Sequence, residues 1–312
     1  MATGVLRHDR AVVYADGQAV LCAPPAAAQQ PAAEAQRDVA RLAESLSAMG
    51  MSELLDELIE RNPSLKDTPA GWALQAEARL ARARRLADAP QGEPDDAQRE
   101  RLLREAAELF ARAADATARS TSDEGTIDHF RYRLKRIETL GIYLPRPHLV
   151  RVMFLRAGPA DRRLAQEQTD RPVELIETYL LDLEDTLQQW RQDLVKLATF
   201  MPELQSVYRS ARYRAGWVRF YHGTVLPGDD EQRQRRRRRL LAGAIESVRD
   251  FAAGDPDSGV KYRSLLLSGM AARELDRHKE ARELLAAADD RSADPVVRMQ
   301  AKFEKVRNLI AT

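Results

Sequence analysis

The stretch SGVK places Ser258 three residues before Lys261, which is the S-x-x-K spacing of serine acyl enzymes. In those enzymes the lysine helps to activate the serine hydroxyl as a nucleophile. They also carry S-D-N and K-T-G elements, and the sequence contains neither. Asp257 and Ser258 are better suited to cap a helix that begins at Gly259, because their side-chain oxygens can accept hydrogen bonds from its free N–H groups. We therefore predict a helix cap here and no catalytic serine.

Other catalytic and metal-binding patterns are missing from the sequence. The five histidines are His8, His129, His148, His222 and His278, and none lies in H-E-x-x-H or follows a glutamate by three residues. There is no G-x-G-x-x-G, phosphate-loop or G-x-S-x-G motif. Cys22 is the only cysteine, which excludes an intramolecular disulfide bond and a cysteine-based zinc site. We expect a protein that is not an enzyme and that has no metal and no cofactor.

One stretch rich in tyrosine and arginine, YRSARYRAGWVRFYHG, is a candidate binding site. Its aromatic residues recur at steps of four and share one face of a helix, with arginines between them: Tyr213, Trp217 and Tyr221, with Arg212 and Arg219. Such side chains can stack on nucleic-acid bases or line a peptide groove. The alternative is that the aromatic rings belong to the core and the arginines are solvated around them.

A second candidate is the basic run RQRRRRRLL, which contains Arg235, Arg236, Arg237, Arg238 and Arg239. Successive residues of a helix are rotated by about 100°, so these arginines spread around the axis and form no single stripe. Three acidic residues at 229–231 directly precede the run and offset part of its charge. The run is therefore either a solvated entry from a turn into a helix or a site for phosphate and other anions.

Composition limits the classes of partner and fold. The 49 basic and 48 acidic residues leave a net charge of +1, which argues against bulk attraction to nucleic acid or to an anionic membrane. Aromatic residues make up only 6% of the chain, whereas Ala, Leu, Arg and Glu dominate, so helix is favoured over sheet. No apolar run approaches the roughly 18 residues of a membrane span.

The periodicity predicts helices almost throughout the chain after Gln30. Their ranges are 32–49, 52–61, 70–89, 96–118, 126–140, 147–157, 172–198, 202–226, 232–253, 259–275, 278–289 and 294–311. No stretch predicts a convincing strand, and AVVYADG at 11–17 is the only β-like patch.

Small residues recur at fixed places in the last helices. The order is Leu265, Gly269, Ala272, Ala281, Leu285, Ala288 and Pro295. Two helices approach closely where one presents small side chains to the larger side chains of the other. This spacing resembles the tetratricopeptide repeat, a hairpin of two helices whose second helix carries A-x3-F and a closing proline.

Two earlier stretches carry the same second-helix spacing. They are Ala106, Phe110 and Ala113, and then Ala244, Val248 and Phe251. The small residues of the matching first helices are Ala76 and Gly216, which precede Ala106 and Ala244 by 30 and 28 residues, whereas Gly269 precedes Ala281 by twelve. We therefore expect an insertion of about 16 to 18 residues at the turn of each earlier hairpin, outside the stacked core.

The middle of the chain carries a heptad pattern instead. Its apolar residues follow steps of three and four: Val173, Ile176, Leu180, Leu183, Leu187, Trp190, Leu194 and Leu197. One interpretation is a long helix packed on its own neighbours, particularly 203–225. The other is a coiled-coil homodimer through 173–197.

The N-terminal segment 1–30 has features of a leader. The alanines at 26–28 follow a short apolar run and resemble a signal-peptidase site, whereas acidic residues and two prolines interrupt that pattern. Export to the periplasm or cell envelope, and a cytoplasmic protein with a disordered Ala/Pro tail, both stay open. The remaining predicted divisions are N-terminal hairpins at 31–118, a central segment at 119–204 and repeat-like hairpins at 205–312.

The expected fold is all-α, with stacked helical hairpins (a TPR-like α-solenoid) and a long central helix. The resemblance implies a non-catalytic scaffold that holds a protein or peptide on a concave face built from the first helices of the pairs, including Trp72 and Trp217. The alternative function is nucleic-acid or polyanion binding through the turn at 233–239 and the helix of Trp217.

Overall fold

The computed structural model describes residues 5–7, 10–15, 18–21, 39, 42, 43, 45, 46, 49, 51–88, 96–154, 158–226, 230–254 and 259–311. The first elements are short antiparallel strands in the order β1 (Val5–Arg7), β2 (Arg10–Ala15) and β3 (Gln18–Leu21). The composition did not predict this sheet. Strand β2 coincides with most of the β-like patch, where β-branched and aromatic residues favour extended backbone. The expected cleavage site at 26–28 and the cap at Asp257 and Ser258 lie outside the described residues.

Every described element beyond the sheet is helical, which confirms the all-α prediction for that part of the chain. The α-helices are α1 (Ser52–Arg61), α2 (Pro63–Lys66), α3 (Pro69–Asp88), α4 (Asp96–Thr117), α5 (Asp123–Glu138), α6 (Arg146–Phe154), α7 (Pro159–Trp190), α8 (Leu194–Thr199), α9 (Met201–Val225), α10 (Glu231–Ala252), α11 (Gly259–Glu274), α12 (His278–Ala288) and α13 (Pro295–Ile310). A π-helix at Thr139–Tyr143 continues α5.

Several of these helices begin after a residue whose side chain accepts a hydrogen bond from the first turn. The Asp230 carboxylate accepts a hydrogen bond from the Arg233 backbone N–H at 2.7 Å, and the Asp294 carboxylate accepts one from Val296 at 2.8 Å. Pro295 occupies the first position of α13, where its missing N–H leaves no bond unmade. These local signals explain why the predicted helix starts in this half of the chain agree closely with the observed ones.

The small residues lie at helix crossings, as predicted. A Cβ atom at Gly269 would lie 2.7 Å from the Leu285 side chain of α12. Ala281 and Ala288 are fully buried on the other side of the same contact. A Cβ atom at Gly216 would lie 2.7 Å from Val248 of α10, and 3.1 Å from the side chain of residue 267 in α11. Helix α9 therefore touches two later helices at one small residue.

Most of the inserted residues lie in the helices rather than in the turns. Helices α9 and α10 have 25 and 22 residues, whereas α11 and α12 have 16 and 11, so the additional residues lengthen both helices of the pair. Helices α3 and α4 are lengthened in the same way, to 20 and 22 residues. The polar run at 231–239 contains no glycine or proline and consists of good helix formers, which explains why it continues the helix.

The long central helix is displaced from its predicted range of 172–198. Helix α7 has 32 residues, begins at Pro159 and continues through Pro172. It ends at Trp190, and Asp193 then caps the short helix α8. Leu194 and Leu197, the last two positions of the heptad pattern, therefore lie outside α7 and are exposed.

The heptad pattern packs within the chain. Val173, Ile176, Leu183 and Leu187 are buried in one cluster with residues of α5 and α9. Tyr179 is also fully buried there, and its hydroxyl donates a hydrogen bond to the Phe130 carbonyl at 3.1 Å. This cluster crosses the predicted boundary between 204 and 205, which falls inside α9. The intramolecular interpretation of the heptads is thus the one that the packing supports.

Candidate functional site

A groove with a volume of about 960 Å³ lies between α6, α9, α11 and α13. Its floor consists of aromatic residues from α9 and apolar residues from α11: Tyr213, Trp217, Phe220, Tyr221, Leu266 and Met270. Its walls come from α6 and α13: Leu149, Val150 and Met153, then Val296, Val297, Met299 and Phe303. We call this cavity the aromatic groove.

The floor is a set of packed aromatic rings. The Trp217 ring centroid lies 5.6 Å from that of Tyr221, and 6.3 Å from that of Phe220 in an edge-to-face arrangement. Burial raises the pKa of Tyr221 to about 12 and also raises the pKa of Tyr213. Both phenols are therefore neutral near pH 7, and they can contribute apolar surface and hydrogen bonds rather than charge.

A buried ion pair lies at one end of the groove. The Arg214 Nε atom lies 2.9 Å from Glu138 Oε2, and the Tyr143 hydroxyl donates a hydrogen bond to Glu138 Oε1 at 3.1 Å. Glu138 is almost fully buried, so its charge depends on these two partners. The pair fixes the end of α5 relative to α9.

The remaining charged residues of the lining are basic. They are Arg146 and Arg263, so the groove has three basic residues and one acidic residue, Glu138. Arg263 lies 3.8 Å from Asp294, and both side chains are largely exposed. Arg146 is exposed and makes no ion pair with any residue that the structure describes. The rim of the aromatic groove is therefore positively charged.

The π-helix positions one wall of the groove. It widens the backbone by one residue and directs Ile142 and Tyr143 into the lining. Gly141 lies on its opposite side, where a Cβ atom would stand 2.9 Å from Pro172 and from Val218. Only a glycine allows α7 and α9 to approach the π-helix this closely.

The structure separates the residues that the sequence grouped as one binding site. Tyr213, Trp217 and Tyr221 line the aromatic groove. Arg212 lies on another surface, with its Nη1 atom 2.7 Å from Asp250 in a second cavity of about 810 Å³. Arg219 points away from the groove as well and donates a hydrogen bond to the Ser247 hydroxyl at 2.7 Å.

Trp72 is also remote from the aromatic groove. It lies on α3, and the Arg112 guanidinium stands 4.0 Å from the centre of its ring. This is the geometry of a cation–π contact within the N-terminal hairpin. The groove contains no residue of α3, so Trp72 is not part of its lining, and a shared binding face of Trp72 and Trp217 stays a prediction.

The arginine run belongs to helix α10, not to a turn, and its side chains diverge. Arg235 pairs with Glu231 at 2.6 Å, Arg236 with Asp170 at 3.5 Å, and Arg237 with Glu274 at 2.7 Å. Arg238 and Arg239 are exposed, and within the described chain neither makes an ion pair. The run therefore presents two free guanidinium groups rather than five.

A buried charge network joins α11 to α13, and no sequence pattern indicated it. Arg273 and Glu304 are both buried and form an ion pair, while Arg307 lies 3.1 Å from the same glutamate. Glu274 lies 2.8 Å from Arg273 and connects the network to Arg237 of α10. The only signal in the sequence is that residues 273 and 304 fall on otherwise apolar helix faces.

A buried histidine lies where α7 meets α9. His222 is fully buried, with Nδ1 2.9 Å from the Thr169 hydroxyl oxygen and Nε2 3.0 Å from Asp170 Oδ1. Burial lowers its pKa to about 4 despite the nearby carboxylate. The Thr169 hydroxyl also lies 2.9 Å from the Ala165 carbonyl, to which it donates a hydrogen bond. The tautomer of His222 therefore decides the donor in its contact with Thr169.

Two other kinds of site are absent from the described residues. Those residues contain no group of three or more histidine, cysteine, aspartate or glutamate side chains placed to hold a metal ion. None of their helices combines the length and the apolar character that crossing a membrane requires.

Comparisons with protein-family models, with curated proteins and with solved structures found no match to this chain.

Proposed function

We propose that this protein is a non-catalytic scaffold of the tetratricopeptide-repeat-like type, and that it binds a protein or peptide segment in the aromatic groove. The observation that carries the proposal is the exposed apolar surface around the groove. Val150 of α6 and Val296, Met299 and Phe303 of α13 are all exposed, although they stand beside a deep aromatic floor. Contiguous apolar surface of this kind marks an interaction site.

The helix order supports a stack of hairpins behind this surface. Helix α9 packs on α10, α10 on α11, α11 on α12, and α12 on α13. Helices α9 and α11 are the first helices of successive pairs, and both contribute to the groove together with α13, which follows the second pair. In helical-repeat proteins, the first helices form the concave binding surface.

The chemistry of the lining suits a polypeptide segment. Methionines at 153 and 299 supply flexible apolar surface that can adapt to a partner. The neutral phenols of Tyr213 and Tyr221 can hydrogen-bond to a peptide backbone. The groove is open along its length between α6 and α13, so a chain can enter it without unfolding either helix.

The proposal is tested by affinity capture from a lysate of the source organism. The bait is the full chain, compared with Val150→Glu, which places a charge on the groove wall. Leu181→Glu is the matched control, because Leu181 is an exposed leucine of α7 outside the groove. We expect at least one protein that the wild type and Leu181→Glu retain and Val150→Glu loses. Identical sets of proteins on all three baits would refute groove binding.

A further inference from the structure

Helix α13 carries an exposed apolar stripe along the face that borders the aromatic groove. Val296, Met299, Phe303, Val306 and Ile310 follow steps of three, four, three and four residues. Their exposed fractions range from 48% for Phe303 to 80% for Ile310. We call these five residues the α13 stripe. Its first three members line the groove, and the last two extend beyond it.

The other face of α13 is already used. Val297, Ala301, Glu304 and Asn308 are buried against the rest of the chain. A helix face that is exposed to water is normally polar. In the part of the chain that the structure describes, no further helix covers the α13 stripe, and the stripe is apolar instead of polar. It is therefore a surface adapted to contact another molecule.

The spacing indicates that the contacting element is an α-helix. A repeat of 3.5 residues keeps one seam facing a partner helix, whose side chains fit between those of the seam. Val296 and Ile310 are 14 residues apart, which corresponds to about 21 Å at a rise of 1.5 Å per residue. A partner helix of about four turns matches this length.

The charges of α13 indicate the chemistry of that helix. Its exposed or partly exposed charged residues are all basic: Arg298, Lys302, Lys305 and Arg307. Arg298 and Lys305 already approach Asp289, and Arg307 approaches Glu304, so the charge complementarity to a partner helix rests on Lys302. The only acidic residue of α13, Glu304, is fully buried and paired with Arg273. Lys302 is exposed beside the stripe and forms no ion pair with the described residues. A second copy of α13 would bring like charges together, whereas an acidic helix would complement them.

We propose that an acidic amphipathic α-helix of a partner protein docks along the α13 stripe. Its apolar residues insert between α13 and α6, over the floor of the aromatic groove. Its carboxylates face Lys302 beside the stripe, Arg263 near the N-terminal end of α13, and Arg146 in the groove lining. This proposal rests on the proposed function, because it names the class of segment that the groove binds.

A pair of synthetic helices tests the charge and the apolar requirement together. The probe is a fluorescein-labelled 21-residue peptide with leucine at heptad positions a and d, glutamate at e and g, and alanine elsewhere. The matched peptide has lysine at e and g, and in both peptides the like charges oppose self-association. Fluorescence anisotropy with the full chain should show saturable binding of the glutamate peptide and at least tenfold weaker binding of the lysine peptide. The ratio of the two affinities should decrease as the salt concentration rises, because salt screens the charges.

Two variants locate the binding on α13. Val306→Glu should weaken binding of the glutamate peptide at least tenfold. Lys302→Glu should lower the ratio of the affinity for the glutamate peptide to that for the lysine peptide. Leu181→Glu should leave both affinities unchanged, and circular dichroism should show equal helix content in all variants. Equal affinity for the two peptides, absence of saturable binding, or an unaffected Val306→Glu variant would overturn the proposal.

The two proposals fail in different ways. Val306 lies outside the groove lining, so a partner that is lost with Val150→Glu but retained with Val306→Glu would leave groove binding standing and exclude a helix along α13. If no partner depends on Val150, the proposed function fails as well. Sedimentation analysis tests whether a second copy of the chain covers the stripe instead. A wild-type dimer that becomes monomeric in Val306→Glu would show that it does.

Discussion

Gly269 of α11 lies against Leu285 of α12 so closely that a Cβ atom at residue 269 would meet two side-chain carbons of Leu285 at 2.7 Å. This contact holds the last hairpin together and explains why a glycine is placed in the middle of a helix, where it is otherwise unfavourable. Substitutions at such crossings therefore test the fold directly.

Gly269→Ala is expected to lower the free energy of unfolding by about 1–3 kcal/mol, because the added methyl group overpacks the crossing. Gly243→Ala is the matched control, since a Cβ atom there meets nothing nearer than the Arg219 side chain at 3.4 Å. That control should be stabilised by up to about 1 kcal/mol through helix propensity. Urea unfolding measures both, and equal effects at the two glycines would contradict the packing.

Ala281→Leu tests the same crossing from α12. Ala281 is fully buried, and the three additional heavy atoms of leucine cannot be accommodated without moving α11. We expect a loss of about 1–3 kcal/mol in the free energy of unfolding, measured by urea titration. Unchanged stability would mean that the hairpin assignment is wrong.

The stability of the fold should depend on pH through His222. Its pKa is lowered to about 4 in the folded protein, against about 6.5 in the unfolded chain. The unfolded state therefore binds more protons between these values, and stability falls as the pH drops from about 6.5 to 4, by up to about 3 kcal/mol. Urea unfolding across this range measures the slope. The slope should flatten in His222→Gln, and an unchanged slope in that variant would assign the pH dependence to other groups.

Glu304→Ala should cost about 3–5 kcal/mol of stability, because it leaves the buried Arg273 guanidinium with less compensation. The exposed ion pair of Glu246 with Arg249 provides the control, and Glu246→Ala should change stability by less than about 1 kcal/mol. Thermal or urea unfolding distinguishes the two. The double change Arg273→Met with Glu304→Leu should cost less than Glu304→Ala alone, and a larger cost would contradict charge burial as the cause.

The polyanion alternative predicts that the chain binds heparin through α10. Because Arg235, Arg236 and Arg237 already pair with carboxylates, glutamine at Arg238 and Arg239 should remove most of the retention. The salt concentration of elution is the measurement, and its salt dependence should also weaken. No retention of the wild type at low salt would exclude this function. Loss of retention only on changing the three paired arginines would contradict the assigned pairing.

Local patterns in the sequence were sufficient to predict most of the helices and the small residues at their crossings. Capping residues, apolar periodicity and helix propensity act over a few residues, so α4 or α11 could be delimited closely without knowing their neighbours. The same local rules are wrong at Pro172, where they predict a helix start. Helix α7 continues through it, since burial against α5 and α9 stabilises the helix on both sides of the proline.

The candidate site depended on the tertiary structure. The aromatic groove joins residues near 140–153, 213–221 and 296–303, and no local signal states that these stretches meet. Tyr213 and Trp72 could be recognised as candidates from residue type, but only packing places one in the groove and the other under Arg112. Likewise, Arg273 and Glu304 are ordinary charged residues in sequence. Their burial as a pair is decided by how α13 docks on α11, because the cost of burying either charge is offset only when the other is present.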